Sequence, residues 1–93
     1  MPQRRKSKPQ PSTERMAALG VAVKRLRAER GLTQERLADL ADLDYTTIAN
    51  LELGSGNPTL GMLFRVADAL EIRLGDLATS ADEIYARGDH DSG

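Results

Sequence analysis

The chain has 93 residues, enough for one small domain with a modest buried core. It contains no cysteine, which excludes disulfides, thiolate metal sites and cysteine nucleophiles, and no apolar run approaches the ~18 residues that a membrane span needs. Aromatic residues make up 3% of the chain, which favours a helical bundle over a β-sandwich, and the net charge of −1 gives by itself no reason to expect a polyanionic partner.

The charge is uneven along the chain and divides it into three predicted segments. Residues 1–13 carry four cations and no acid, residues 14–78 carry eight basic and ten acidic residues, and residues 79–93 carry one basic and four acidic residues. The four cations of the first segment are Arg4, Arg5, Lys6 and Lys8. With three prolines and almost no apolar side chain, residues 1–13 are predicted to be a disordered basic arm ahead of a folded domain over 14–78.

The first predicted helix runs from about residue 13 or 14 to residue 30, where Gly31 supplies the stop. Its apolar stripe is expected to contain Met16, Leu19, Val23 and Leu26.

Two short helices joined by a tight turn follow. Helix two is predicted to start after Thr33 as N-cap, although Arg36 stands where a capping box would have Glu or Gln. Helix three is predicted over about residues 45–53, with Asp44 as its N-cap. These boundaries describe a helix–turn–helix arrangement.

The third helix is predicted to have one buried and one exposed face. At ~100° per residue, Ile48, Leu51 and Glu52 turn inward. The outward face then carries Thr46 and Asn50, flanked by Tyr45, Ala49 and Leu53. A helix of this size fits the major groove of DNA.

Two more helices are predicted after the loop over residues 54–58. Helix four begins at Thr59 and ends near Glu71, and the side chains expected to face inward are Leu60, Leu63, Phe64, Ala67 and Leu70. A short fifth helix is predicted over 74–78, with Arg73 as a poor N-cap. Residues 80–87 can extend that helix, so that the acidic segment over 79–93 is partly helical and then disordered.

The spacing Thr-Gln-x-x-Leu-Ala from Thr33, followed by Ile-x-x-x-Glu-x-Gly from Ile48, resembles the helix-turn-helix of the phage lambda-repressor and Cro class, also called the Xre family. The resemblance covers roughly residues 19–77 and implies an all-α, five-helix, lambda-repressor-like bundle. Asp42 stands where the family usually has Gly in the turn. Asp tolerates a left-handed backbone better than most residues, so a slightly strained turn is expected and the fold is retained.

The predicted base-contacting residues are Tyr45, Thr46 and Asn50. The Asn50 amide can hold adenine at N6 and N7, and Thr46 can bond a base edge or pack its methyl group on thymine. Tyr45 has two open interpretations, a contact to DNA or a half-buried packing role. Leu53 is interpreted as an incidental exposed side chain.

Phosphate contacts are predicted from other positions. Gln34 matches the family position whose amide holds the DNA backbone, beside the free N–H groups of a helix N-terminus, and Thr33 and Arg36 are further candidates. Thr47 either contacts phosphate or has no role. The loop residues Ser55, Gly56 and Asn57 either add backbone N–H contacts or form a plain connector, and no Gly-Lys-Ser/Thr follows that would make a P-loop.

Arg27 and Glu52 are charged residues on otherwise apolar faces. The family resemblance places them together as a buried, structural ion pair between helices one and three.

An enzymatic function is not expected. The one histidine, His90, lies in the C-terminal segment, and no nucleophile with a companion base or metal-ligand spacing is visible. No cofactor, metal or small-molecule ligand is therefore predicted, and with no membrane span or export signal a cytoplasmic location is expected.

The resemblance implies a sequence-specific regulator of transcription, a repressor or autoregulator that binds double-stranded DNA as a homodimer on an inverted repeat. The stretch from Leu43-Asp44-Tyr45 through Asn57-Pro58-Thr59-Leu60 also resembles the controller proteins of restriction-modification systems. An antitoxin or other protein-interaction module on the same fold is the alternative, because helix three, the expected recognition helix, has no Arg or Lys. Residues 1–13 are then either a solubilising leader or an arm that contacts DNA.

Overall fold

Polar caps and glycines divide the described chain, residues 13–88 of a computed structural model, into five helices. They are α1 (Thr13–Glu29), α2 (Gln34–Ala41), α3 (Tyr45–Leu53), α4 (Leu60–Ala69) and α5 (Leu74–Arg87). The predicted all-α, five-helix architecture is confirmed. The predicted disorder of the basic arm and of the C-terminal end falls on residues outside the described range, except that Thr13, assigned to the arm, is the first residue of α1. Among the described helices, none is long and apolar enough to cross a membrane.

Threonine hydroxyls cap two of the helices. Thr33 Oγ1 accepts a hydrogen bond from the N–H of Arg36 at 3.0 Å, and Thr59 Oγ1 accepts one from the N–H of Met62 at 3.1 Å. Each bond satisfies an N–H group that the first turn of a helix leaves unpaired. Asp44 occupies the N-cap position of α3 as predicted, but its side chain makes no capping hydrogen bond.

The fifth helix is long and continues through the region that was predicted as a possible extension. Arg73 at its N-cap has no side-chain acceptor, and the Asp76 carboxylate instead accepts from the Arg73 N–H at 3.1 Å. α5 packs along α1, where Ile84 is buried and the Arg15 guanidinium lies 4.3 Å from the centre of the Tyr85 ring. Residues 80–87 are therefore part of the folded domain.

The core lies where α1 packs against both α3 and α5, and α2 and α4 close it. Its buried members are Ala18, Ala22, Val23, Leu37, Ala38, Ile48, Leu51, Val66, Leu70, Leu77 and Ile84. Of the apolar stripe predicted on α1, Val23 is buried, Leu19 and Leu26 are half-buried and pack against this core, and Met16 is half-buried. Small side chains occupy the most buried positions of α1 since neighbouring helices approach its backbone closely.

The expected inward face of α4 is also partly wrong. Leu60 and Phe64 are exposed, with 60% and 49% of their surface accessible, whereas Val66 and Leu70 are buried. The buried stripe of α4 is centred on Leu63, Val66 and Leu70. At ~100° per residue, Leu60 and Phe64 therefore lie to one side of it. One side of α4 therefore presents apolar surface to solvent.

Candidate nucleic-acid interface

The turn between α2 and α3 begins at Asp42, which ends α2 in a left-handed backbone conformation. This residue has φ 56° and ψ 46°, and its N–H donates to the carbonyl oxygen of Asp39 at 3.2 Å. The N–H of Leu43 donates to the carbonyl of Ala38 at 2.9 Å, which completes the C-terminal cap. Arg65 on α4 lies 3.2 Å from the Asp42 carboxylate. The predicted left-handed conformation of Asp42 is confirmed, and it sets the angle at which α3 leaves α2.

α3 is held against α1 by its backbone as well as by its side chains. Ile48 and Leu51 are buried, at 0% and 2% exposure. At Gly20 the two backbones come so close that a Cβ atom there would stand 2.5 Å from the carbonyl oxygen of Glu52. This close approach fixes the depth of α3 in the domain and leaves its opposite face to solvent.

Arg27 and Glu52 form a two-bonded ion pair between α1 and α3. Arg27 Nε and Nη2 donate to the two carboxylate oxygens at 2.6 and 2.9 Å, and Nη1 donates to the carbonyl of Leu32 at 2.8 Å. The side chains are 14% and 4% exposed. The hydrogen bond to Glu52 raises the pKa of Arg27 above arginine's usual value, although burial acts in the opposite direction. The pair joins the helices in a largely water-free site.

Gln34 completes this cluster, which sequence reasoning missed. Its Nε2 donates to Glu52 Oε1 at 2.9 Å, so the carboxylate receives hydrogen bonds from α1 and α2 together. The side chain of Gln34 is half-buried. A signal was present in the sequence, because a buried carboxylate needs more donors than one guanidinium supplies to satisfy its lone pairs.

The outward face of α3 contains the three predicted base-contacting residues. Thr46 and Asn50 are exposed, and Tyr45 is 48% exposed, which places it between the two interpretations left open for it. Leu53 is 76% exposed at the end of the helix. Within α3 the sole charged side chain is Glu52, which points away from this face into the ion pair.

The loop after α3 brings several predicted phosphate-contacting residues next to Asn50. A shallow depression between the end of α3 and the start of α4 is lined by Thr47, Asn50, Ser55, Gly56 and Asn57, among others. Gly54 and Gly56 have φ values of 78° and 76°, which the loop requires for its sharp return. Base-contacting and phosphate-contacting candidates thus share one surface here.

The candidates on α2 form a separate group. Arg36 is exposed in the first turn, while the Thr33 hydroxyl is already an acceptor in the N-cap. The N–H groups of Gln34 and Glu35 are the first two of α2, so no carbonyl within the helix can accept from them. Among residues 13–88, no group of three His, Asp or Glu side chains is placed to hold a metal ion.

Comparison with known proteins identifies the family. The helix-turn-helix family model, of the Xre/Cro type, matches residues 23–77, and the chain belongs to this family. It is a DNA-binding, non-enzymatic regulator of transcription. The five-helix bundle is accordingly the lambda-repressor-like fold that the motif predicted.

One relative and two solved structures place the chain within that family. It is 39% identical over 59 residues to an HTH-type transcriptional regulator, y4dJ of Sinorhizobium fredii. The matched region spans 63% of this chain and 77% of that relative. The clp gene regulator ClgR of Corynebacterium glutamicum superposes with a TM-score of 0.76 at 27% identity, over 87% of this chain and 84% of that one. The restriction-modification controller protein C.AhdI of Aeromonas hydrophila superposes with a TM-score of 0.66 at 34% identity, over 67% of this chain and 94% of that one.

Proposed function

We propose that this chain is a sequence-specific repressor or autoregulator that binds an inverted repeat in double-stranded DNA as a homodimer. The observation that supports this proposal best is the construction of α3. One face is anchored by Ile48, Leu51 and the Arg27–Glu52 pair, and the other face presents uncharged polar groups to solvent. A short helix held rigidly with such a face outward suits insertion into the major groove. A protein bound there blocks access to an overlapping promoter.

Base contacts are assigned to the exposed side chains of α3. Asn50 supplies the donor and acceptor that match adenine N7 and N6, and Thr46 lies one helical turn before it. Tyr45, in the first turn and 48% exposed, is assigned a contact to a base edge or the adjoining sugar. These three residues carry the sequence preference in the proposal.

Phosphate contacts are assigned to both ends of the motif. At the start of α2, Gln34 is oriented by its bond to Glu52, and Thr33 and Arg36 lie beside it. At the end of α3, Thr47 and the loop residues Ser55, Gly56 and Asn57 border the depression next to Asn50. Contacts on both sides of a recognition helix fix its register on the duplex.

The homodimer is supported by the apolar side of α4. Leu60 and Phe64 are one helical turn apart and both are largely exposed. A pair of large apolar side chains on one helix face suits a symmetric contact, in which the same patch of each protomer meets its copy. Two recognition helices related in this way would read half-sites about one turn of DNA apart.

Selection of bound duplexes from a random pool, at a stated salt concentration, tests DNA recognition. Enrichment of a palindrome is the expected result. Enrichment of a sequence without two-fold symmetry would contradict the homodimer, and no enrichment at low salt would contradict sequence-specific binding.

The dimer has its own test in Leu60→Asp. Residue 60 is the first of α4, where an acidic side chain is favoured by the helix dipole, so the variant should fold normally. We expect a monomer by sedimentation and a loss of palindrome binding. Ala86→Asp adds the same charge to an exposed position of α5 and should remain dimeric. A dimeric Leu60→Asp would show that this side of α4 is not the interface.

The alternative, a protein-interaction module such as an antitoxin, is favoured by one observation: residues 34–53 hold five acidic residues and one basic residue. A stoichiometric complex with a co-expressed partner would support it. Truncation of the whole acidic segment is not a clean test of it, because Ile84 is part of the core. Deletion of residues 89–93 removes no part of the described helices and is the better variant.

A further inference from the structure

We propose that the outward face of α3 selects adenine–thymine pairs, and that Thr46 and Leu53 read the methyl groups of thymine. This inference rests on the proposed function, since it assigns the base-pair class that the same surface recognises. It also gives a role to Leu53, which sequence reasoning interpreted as incidental.

The outward face of α3 offers only uncharged groups. Thr46, Ala49, Asn50 and Leu53 lie along it and offer one amide, one hydroxyl and otherwise methyl groups, and the Tyr45 phenol lies beside them in the first turn. Glu52 is withdrawn into its pair with Arg27 and is 4% exposed. The face therefore contains neither a cation nor a carboxylate.

The helix geometry sorts these groups across the face. Taking Thr46 as the centre, at ~100° per residue Asn50 lies ~40° to one side, while Leu53 lies ~20° and Ala49 ~60° to the other. An amide thus stands next to a row of apolar groups. Among residues 13–88, Leu53 is the most exposed large apolar side chain, with 76% of its surface accessible.

An adenine–thymine pair has a matching pattern on its major-groove edge. Adenine presents N7 and the N6 amino group, which fit the Asn50 amide, and thymine presents O4 and a C5-methyl group beside them. A threonine methyl group or another apolar side chain packs on that methyl. Around the helix axis the amide lies beside apolar groups, as adenine lies beside the thymine methyl group across the pair. Thr46 and Leu53 are seven residues, ~10.5 Å, apart along that axis, so they contact the methyl groups of different pairs.

A guanine–cytosine pair lacks this match. Guanine is read best by two donors from Arg or Lys on O6 and N7, and cytosine by a carboxylate that accepts from N4. No such group stands on the outward face of α3. Arg36 is on α2, the helix that in this motif crosses the DNA backbone, and Arg27 is held by Glu52.

The experiment uses the duplex obtained by selection, with single thymines of the half-site replaced by uracil, which lacks only the C5-methyl group. Full-length protein is compared with Thr46→Ser, Leu53→Ala and the control Thr79→Ser, an exposed position on α5. We expect one or more uracils to weaken binding about fourfold, the ratio for one buried methyl group. That penalty should vanish in Thr46→Ser or Leu53→Ala, because a variant without the side-chain methyl group has no contact left for the uracil to remove. It should persist in Thr79→Ser, which keeps both contacts.

The outcomes separate this inference from the proposed function. If no duplex is enriched, the proposed function fails. If a duplex is enriched but its contacted positions are guanine–cytosine pairs, the assignment to adenine–thymine pairs is wrong. If uracil has no effect, or the same effect in both variants as in the unchanged protein, Thr46 and Leu53 do not read thymine. Thermal unfolding of each variant verifies that the fold is retained.

Discussion

The backbone of Gly20 on α1 lies directly against the carbonyl of Glu52 on α3. A Cβ atom at position 20 would stand 2.5 Å from that carbonyl oxygen and 2.6 Å from the oxygen of Leu51, closer than such atoms approach in folded proteins. The same Glu52 holds Arg27 through its side chain. Backbone contact and ion pair thus fix one point of α3 from two directions, which makes the recognition helix rigid relative to α1.

Gly20→Ala should therefore destabilise the protein even though alanine is the better helix former. The propensity gain is about 1 kcal/mol, but the added methyl group meets backbone that cannot move aside as a side chain does. We expect a net loss of about 1–3 kcal/mol, as for other overpacked sites, measured by urea unfolding. Gly75→Ala is the matched control, because no atom lies within 4 Å of the added Cβ in α5. Equal stability of the two variants would show that α1 and α3 can separate at little cost.

The boundaries of α2, α3 and α4 and the outward face of α3 follow from local chemistry and could be predicted, whereas the length of α5 depends on its packing along α1. Thr33 and Thr59 bond N–H groups three residues away, Asp42 and Gly54 take left-handed conformations, and none of this needs a distant partner. The outward face of α3 could be predicted because its apolar residues recur at the helical period and so identify the opposite, buried face.

The features that could not be predicted depend on how closely helices approach. Periodicity counted Leu60 and Phe64 as buried because they are apolar and helically spaced, but α4 buries a stripe centred to one side of them. It also missed Gly20, since glycine carries no apolar signal although a close crossing needs it. A buried Glu52 signals a need for further donors, but Gln34 lies 18 residues away, so local patterns do not identify it as the donor.

Glu52→Gln should lower the free energy of unfolding by about 3–5 kcal/mol, because it leaves the Arg27 guanidinium without a counter-charge in a site that water hardly reaches. Glu71→Gln makes the same substitution in an exposed pair, with Arg30 at 2.7 Å, and should change stability by less than about 1 kcal/mol. Thermal and denaturant unfolding compare the two. A loss no larger than that of Glu71→Gln would mean that the pair is solvated.

The contribution of Arg27 should not depend on pH over the ordinary working range. Its pKa is higher in the folded protein than in the unfolded chain, because the folded state binds its proton more tightly through Glu52. A group with a raised pKa stabilises the fold below its unfolded pKa and loses that effect only as the pH rises through the folded value. For arginine both values are strongly alkaline, so a fall in stability between neutral pH and pH ~9 would have another source.

Asn50→Ala and Gln34→Ala should weaken DNA binding in different ways. Asn50 is exposed and has no role in packing, so its loss should reduce affinity for the selected site by about 1–3 kcal/mol without changing folding or non-specific affinity. Gln34→Ala should weaken binding to every sequence alike. Since Gln34 also donates to Glu52, this variant should lose about 0.5–1.5 kcal/mol of stability as well.

Titrations against the selected duplex and an unrelated one, at one salt concentration, separate these effects. A uniform loss for Asn50→Ala would remove it from base recognition. A loss for Gln34→Ala confined to the selected duplex would remove it from backbone contact.

The basic arm is the richest source of positive charge in the chain, and its contribution to DNA binding can be measured. Near the proposed interface, Glu35, Asp39 and Asp44 are exposed acids and Arg36 is the accompanying cation, so the motif itself offers little general attraction to a polyanion. Residues 1–13 add the four cations Arg4, Arg5, Lys6 and Lys8. If DNA binds as proposed, these charges are expected to supply much of the salt dependence.

Deletion of residues 1–12 should reduce the slope of log affinity against log salt by up to ~3.6 per monomer, from ~0.9 for each phosphate neutralised. Folding should not change, because α1 begins at Thr13 and the described core begins at Ala18. Replacement of the four cations by glutamine is the matched variant, since it keeps the length of the arm and removes its charge. Both variants should give the flatter line, with the same thermal midpoint as the full chain. Lines parallel to that of the full chain, at equal affinity, would return residues 1–13 to the role of a solubilising leader; a flatter line for the deletion alone would mean that the arm acts through contacts other than charge.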